Sequence, residues 1–541
     1  MRVHWFLVSS IADEVSRRRT FAIISHPDAG KSTMTEALAL HARVINEAGA
    51  IHGKAGRKST VSDWMEMEKA RGISVSSTAL QFNYTSSGAD DDAEPSVINL
   101  VDTPGHADFS EDTYRVLTAV DAAVMLIDAA KGLEPQTLKL FQVCRHRGIP
   151  VITVINKWDR PGRTPLELLD EISERIGLTP TPLFWPVGIA GDFRGLRDVR
   201  KDEYVHFTRT AGGAKIAPEE HLSTDAALDR EGDVWAEAVE ETELMTEMGQ
   251  GHDQEMFLAG QTSPVIFTSA ILNFGVRQLL EALVELAPAP HSRESTEGTL
   301  REVTDPFSAV VFKVQAGMDA AHRDRLAFMR IVSGEFERGM VVQHAQTGKP
   351  FATKYAMTVV GRDRETVETA YPGDVVGLVN ANALAPGDTL YDGAKVQFPP
   401  IPSFAPEHFA VVRADSAGKY KQFRKGIEQL GTEGVVQLLR NDVRGDASPV
   451  MAAVGPMQFE VVVARMKTEF NVDVQVEHLG YSVARRTDSA SADELNRQRG
   501  VEVFERNDGA LLALFSDKWR LQYIEKEHPA LTLDPLVAAA D

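Results

Sequence analysis

Apolar residues run along this chain in two rhythms. In the first 290 residues, short continuous apolar runs alternate with stretches of helical period. Thr20 to Ser25, Val97 to Val101, Ala122 to Ile127 and Pro150 to Ile155 have the length of strands. A strand that is apolar on both faces is buried on both faces, so these runs predict an α/β domain: a parallel sheet with helices on both sides. The pattern lapses between about Asp198 and Gln261, an acidic stretch in which Glu237 to Glu247 has an amphipathic helical period. It returns with the apolar run Pro264 to Phe267. Residues 198–261 therefore read as an insertion within a domain spanning 1–290.

Ala287-Pro288-Ala289-Pro290 and the polar residues up to Thr304 read as a linker. From Asp305 to Gly393 the rhythm changes to short β runs cut by turns at Gly334, Arg338-Gly339, Pro372-Gly373-Asp374 and Pro386-Gly387-Asp388. Frequent strands without helical period predict a small β-barrel over 304–396. The proline-rich stretch Phe398 to Pro406 marks a second boundary. Residues 405–541 then follow a β-α-β-β-α-β order, the ferredoxin-like α+β pattern. The strands fall near His408–Arg413, Val435–Arg440, Pro449–Val454 and Val472–Val476, and the helices near Lys419–Leu430 and Met457–Phe470. Residues 479–541 read as a β-α extension with a C-terminal helix around Lys518 to His528.

Composition narrows the partners. The 541 residues carry 57 Lys and Arg against 78 Asp and Glu, a net charge of −21. Such an excess argues against whole-surface binding to nucleic acid, so DNA is not an expected partner. It leaves room for local basic patches, and hence for a ribosome. The single cysteine, Cys144, sits in an apolar stretch and reads as a core thiol. One cysteine fits a reducing compartment. Trp5 to Val8 is too short and too soon interrupted for a signal peptide, and no apolar run approaches membrane-spanning length. The expected location is the cytoplasm.

The chemistry begins at Ser25-His26-Pro27-Asp28-Ala29-Gly30-Lys31-Ser32, with Thr33 following, which ends a strand and opens a helix. That is the setting of a phosphate loop, whose backbone N–H groups wrap a β-phosphate. Lys31 is placed to reach the β and γ oxygens, and the Ser32 hydroxyl to bind Mg2+. Ser25 stands where such loops carry glycine, which is tolerable if the position needs no positive φ. Asp102-Thr103-Pro104-Gly105-His106 follows the strand Val97–Val101. A carboxylate there sits at the ligand-bearing rim of an α/β sheet, so Asp102 can hold Mg2+ through a water, and the Gly105 N–H can meet a γ-phosphate. Asn156-Lys157-Trp158-Asp159 follows a third strand. Asp159 would accept two hydrogen bonds from guanine N1–H and its 2-amino group, a pair that adenine lacks. The Lys157 stem can lie over the base. Thr268-Ser269-Ala270, after a fourth strand, offers backbone to the guanine carbonyl. Each stretch alone has a bland reading, such as a helix entered from a polar turn. Together, in this order and each at a strand end, they are what one ligand, GTP or GDP, requires.

The order of these motifs resembles that of the translational GTPases. Arg71-Gly72-Ile73-Ser74 resembles their switch I, with Ser74 where most members carry Thr. The hydroxyl that would bind Mg2+ is kept. Asp-Thr-Pro-Gly-His is the switch II form of the class, and the resemblance implies that His106 orients the attacking water. The barrel and the ferredoxin-like module resemble domains II and III of elongation factor G. Longer strings resemble the class II family of bacterial peptide chain release factors: Arg19 to Lys31, Ser62 to Lys69, Asn273 to Val276, Ala287 to Pro290 and Gln458 to Arg465. The likeness covers roughly residues 17 to 485, and the loop between Gly49 and Ser62 is shorter than in typical members. Only 63 residues follow position 478, too few for the two further domains of a translocase.

The resemblance implies a monomeric, ribosome-stimulated GTPase that binds GTP with Mg2+ and docks on rRNA and ribosomal proteins. It would promote dissociation of class I release factors after peptide release. Catalysis falls to Lys31 and His106, and Mg2+ to Ser32, Ser74 and Asp102. No arginine finger in cis is readable, so intrinsic turnover is expected to be slow. Two other readings keep the same motifs: another ribosome-associated GTPase, acting in recycling, stress or ribosome protection, and a GTP-dependent switch module with negligible catalysis.

Overall fold

The computed structural model describes residues 10–44, 79–88, 90, 93–104, 108, 110–210, 215–316, 325–360, 363–401, 404–441, 444 and 448–536. Its first sheet contains β1 (Arg18–Ser25), β2 (Ala79–Tyr84), β3 (Ser96–Asp102), β4 (Ala122–Asp128), β5 (Val151–Asn156), β6 (Thr179–Val187), β7 (Gly195–Asp198), β8 (Glu203–Phe207), β9 (Glu219–Ser223) and β10 (Thr262–Phe267). The strand order is β2-β3-β1-β4-β5-β10-β6-β7-β8-β9. The six strands from β3 to β6 in that order run parallel. They include the continuous apolar runs, and the two-residue period of a strand sorts their side chains onto two faces. On β1, Phe21 and Ile23 enter one core with Met34 and Leu38 of the helix Lys31–His41 and Leu279 and Leu283 of the helix Val276–Leu286. Ala22 and Ile24 enter the other, with Leu117 of the helix Ser110–Leu117 and Leu140 and Phe141 of the helix Pro135–His146. Cys144 is fully buried in that second core, where loss of water pushes its thiol up to about 12. It is a packing residue.

The sheet is mixed rather than parallel throughout. β2 runs antiparallel to β3 at one edge, and β7, β8 and β9 continue antiparallel from β6 at the other. The stretch read as an insertion from Asp198 thus starts at Gly195 and extends the sheet itself. The helix Asp233–Glu247 covers it through Trp235, Ala238 and Met245.

An eight-stranded antiparallel sheet follows, with a separate two-stranded pair, Phe336–Glu337 with Thr369–Ala370. Its strand Arg325–Ser333 is buried on both faces for a specific reason. Ala327, Met329 and Ile331 line the core of their own domain, while Leu326 and Phe328 join the second core of the first domain. Arg330 shares the latter face. It donates to both carboxylate oxygens of Asp121, at 2.8 and 2.6 Å, and to the Ala119 carbonyl at 2.8 Å. A second buried carboxylate, Asp374, accepts from Arg18 at 3.0 Å, Gln81 at 2.9 Å and Asn99 at 3.2 Å. The segment read as a linker is itself docked: Arg293–Glu294 pairs with Leu300–Arg301, and Arg293 donates to the Thr118 carbonyl at 2.7 Å.

The third domain opens with the expected β-α-β-β-α-β order: His408–Ala414, Tyr420–Glu433, Gln437–Arg440, Val450–Ala453, Met457–Phe470 and Val474–His478. The sheet then runs on. Val501–Arg506 pairs with Gln437–Arg440, and Leu511–Phe515, Val483–Thr487 and Asp534–Pro535 complete eight antiparallel strands. The residues read as a β-α appendix are thus half of one continuous sheet. This domain leans on the first: Phe404 meets the Tyr114 ring edge-on at 5.2 Å, and Arg115 donates to the carbonyls of Glu433 and Gly434. Among the described residues, no helix is long and apolar enough to cross a membrane.

Removing one partner of a buried ion pair strands the other. Arg330→Ala is therefore expected to lower stability by about 3–5 kcal/mol, read as an earlier midpoint in denaturant unfolding. Arg330→Lys recovers part of the loss at most, because an ammonium cannot reproduce the two-pronged contact. An unmoved midpoint for Arg330→Ala would show that the pair does not hold these domains together.

Candidate nucleotide-binding site

The four chemistry-bearing stretches all lie at the carboxyl ends of parallel strands: after β1, β3, β5 and β10. Sheet order places β1, β4, β5 and β10 in succession, so loops distant in sequence meet at one rim.

The loop from β1 into the helix Lys31–His41 turns through two left-handed residues, Asp28 at φ 67° and Gly30 at φ 98°. Backbone of this kind aims successive N–H groups into a hollow suited to an anion. Ser25 is the last residue of β1 and lies outside the left-handed region, which is why a side chain is accepted there. Its hydroxyl is buried with no hydrogen-bond partner among the described residues. Pro27 and Thr33 are half-buried, and Ala29 is buried. His26 contacts Glu134 at 3.0 Å, Nε2 to Oε1.

Asn156 binds the loops together. Its Nδ2 donates to the Ala29 carbonyl at 2.9 Å, and its Oδ1 accepts from the Ala270 N–H at 3.0 Å and the Thr268 hydroxyl at 3.2 Å. A Cβ on Gly30 would stand 2.5 Å from that same Nδ2. Lys157 takes a left-handed backbone, φ 66°, and donates to Asp128 Oδ2 at 2.8 Å. Burial alone would raise the Asp128 carboxyl, but hydrogen bonds from Lys157 and the Ala130 N–H hold it below the usual range. The Ser269 hydroxyl donates to Asp159 Oδ1 at 2.6 Å, and Arg160 lies 3.9 Å from the other oxygen. Trp158 faces the other way. Its indole is fully buried, edge-on to Phe267 at 4.8 Å, and donates to the Gly188 carbonyl at 3.3 Å. Its side chain anchors the loop in the core.

At the end of β3, Lys31 Nζ donates to Asp102 Oδ1 at 2.6 Å, with the two side chains only 6% and 0% exposed. Thr103 pins this strand end, its hydroxyl donating to the Ile23 carbonyl at 2.6 Å, and Pro104 is buried beside it. Ser74, Gly105 and His106 lie outside the described residues. Two further residues serve this site without belonging to a motif. Asp128 ends an apolar strand just as Asp102 does, a signal present in the sequence. Glu134 has no such signal.

The buried Lys31 ammonium at a helix N-terminus and the unpartnered Ser25 hydroxyl on the same loop suit a nucleotide's phosphates. Among the described residues no group of three or more His, Cys, Asp or Glu is placed to hold a metal.

Residues 16–289 match the family described as Elongation factor Tu GTP binding domain, and residues 306–393 match Elongation factor G domain 2. A crystal structure from Thermus thermophilus shares the fold, with a TM-score of 0.66 at 21% identity, covering 91% of this chain and 71% of that one. The fold and these matches define a translational GTPase, an enzyme that hydrolyses GTP. Residues 398–525 match Class II release factor RF3, C-terminal domain. Peptide chain release factor 3 of Trichodesmium erythraeum is 45% identical over 96% of this chain and 95% of its own. That of Synechococcus elongatus is 44% identical over 100% and 99%, and that of Gloeobacter violaceus 46% over 96% and 98%. The chain belongs to the peptide chain release factor 3 family.

Gly30→Ala both strains a left-handed backbone and drives a methyl into Asn156. It is expected to weaken GDP binding at least about 100-fold, a loss of roughly 3 kcal/mol, measured with a fluorescent nucleotide. Unchanged affinity would mean that the loop does not hold the phosphates.

Proposed function

We propose that this GTPase acts on the ribosome after peptide release, where its GTP-bound form drives dissociation of class I release factors and hydrolysis lets it leave. The observation that carries the nucleotide part is the convergence of strand-end motifs on the single side chain of Asn156. Family membership supports the termination role. The ribosome as partner, the cytoplasm as location and the monomeric state belong to the same proposal.

The residue roles follow from chemistry. The loop from Ser25 to Ser32, with Thr33, cradles the β- and γ-phosphates, and Lys31 leaves Asp102 to meet their oxygens. Bound Mg2+ would neutralise charge on those oxygens, held by the Ser32 and Ser74 hydroxyls and by Asp102. Asp159, fixed by Ser269, reads the guanine edge. The Lys157 stem, fixed by Asp128, lies over the base, and the backbone of Ser269 and Ala270 meets the guanine carbonyl. His106 orients the attacking water beside the Gly105 N–H, and catalysis is then positioning plus electrostatics.

A route from site to partner also has a physical anchor. Asp108, two residues beyond His106, accepts from the Met457 N–H at 2.7 Å, at the start of a third-domain helix. Rearrangement at His106 when the γ-phosphate departs would pull on that contact.

Asp159→Asn should move preference from guanine toward xanthine nucleotides, measured by competition binding. An unaltered preference would remove Asp159 from base reading. The deciding experiment follows a limiting amount of class I release factor on post-release ribosomes with GTP. The wild type should make it act repeatedly, while His106→Ala binds GTP normally and loses ribosome-stimulated hydrolysis. Stimulated hydrolysis without any gain in factor turnover would keep the enzyme and overturn the termination role.

A further inference from the structure

Four tryptophans lie among the described residues. Trp158, Trp185 and Trp235 are at most 1% exposed, whereas Trp519 is 82% exposed, on the helix Lys518–Glu527. Leu521 and Ile524 pin one side of that helix to the third domain's core. At 100° per residue, Lys518, Gln522, Lys526, Trp519 and Tyr523 fall on the opposite side within an arc of about 140°. Glu525 and Glu527 lie outside it. A carboxylate-free arc is notable on a chain whose net charge is −21. Tyr523 is 52% exposed, and the Arg520 guanidinium lies 5.2 Å from its ring centre. Lys518 and Lys526 form no ion pair among the described residues.

A large aromatic left in water gains by stacking, and the neighbouring cations favour an anion rather than an apolar protein groove. Flat π-faces beside uncommitted lysines are what an unpaired RNA base and its flanking phosphates require. We propose that this helix face docks on ribosomal RNA, with Trp519 and Tyr523 stacking on an unpaired base and Lys518 and Lys526 meeting adjacent phosphates. The proposal rests on the ribosomal reading above and gives that partner a defined place on the third domain. Nothing in it touches the nucleotide site, so ground-state nucleotide binding is independent of it.

The test uses the full chain and intact ribosomes. With Trp519→Ala combined with Tyr523→Ala, the ribosome concentration giving half-maximal GTP hydrolysis should rise about tenfold or more. Fluorescent GDP affinity should stay at the wild-type value. Trp519→Phe, which keeps a π-face, should recover most of the loss, and Lys518→Glu with Lys526→Glu should flatten the salt dependence of ribosome binding. A benzophenone amino acid at position 519, irradiated on the ribosome, should cross-link to RNA. A cross-link to ribosomal protein alone, no cross-link, or an unmoved half-maximal concentration overturns the proposal. Absence of ribosome stimulation in the wild type would overturn the functional reading, and this docking with it.

Discussion

Asn156 has a short, flat head with one acceptor and two donor hydrogens, and the first domain is arranged around satisfying it. The side chain is 1% exposed, so its polar atoms have no water to fall back on. Two loops meet that demand for Asn156 at the end of β5: Ala29 from the loop after β1, and Thr268 and Ala270 from the loop after β10. Displacing either loop leaves a buried amide group unpaired, at a cost of about 1–3 kcal/mol. The loops after β1, β5 and β10 are thereby tied together, and Gly30 is confined to hydrogen for its side chain.

Much of this was legible in the sequence because it is local. A strand end, a glycine and a lysine lie within a few residues in Ser25 to Lys31, and parallel strands declare themselves by being apolar on both faces. What was not legible depends on tertiary pairing. Glu134 meets His26 with no signal in the sequence, and Asp128, though readable as a strand-end carboxylate, gives no sign of its partner Lys157. Trp158 stands among the strand-end residues after β5, yet its indole fills the core against Phe267, because burying so large an apolar ring there is favourable. β7 to β9 were hidden because strands of four or five residues with interspersed charge carry little apolar signal. The extension of the third sheet was readable at one point: Asn507-Asp508-Gly509 is a turn between two runs that do pair.

The two buried carboxylates between the first and second domains act differently from the surface ion pairs. Asp121 and Asp374 lie in a low-dielectric seam, where each pairing partner is needed to offset desolvation. Exposed pairs such as Arg413 with Glu477 are screened by water and contribute little. Geometry in the seam therefore matters more than the number of charges, and it fixes the angle at which the second domain meets the sheet. The third domain meets the first through Asp108, Glu111, Arg115 and Tyr114, close to the residues that follow β3.

The strand Arg325–Ser333 gives one face to each of two domains, and this bears on how such chains can change over generations. The proline-marked stretch from Ala287 to Thr304 looks like a seam at which one domain could be exchanged for another by recombination. A transplanted second domain would have to bring Leu326, Phe328 and Arg330 in register with a sheet surface and an Asp121 it had never met. The first two domains are thus joined through one strand, and a change on either side of the seam alters the packing of both.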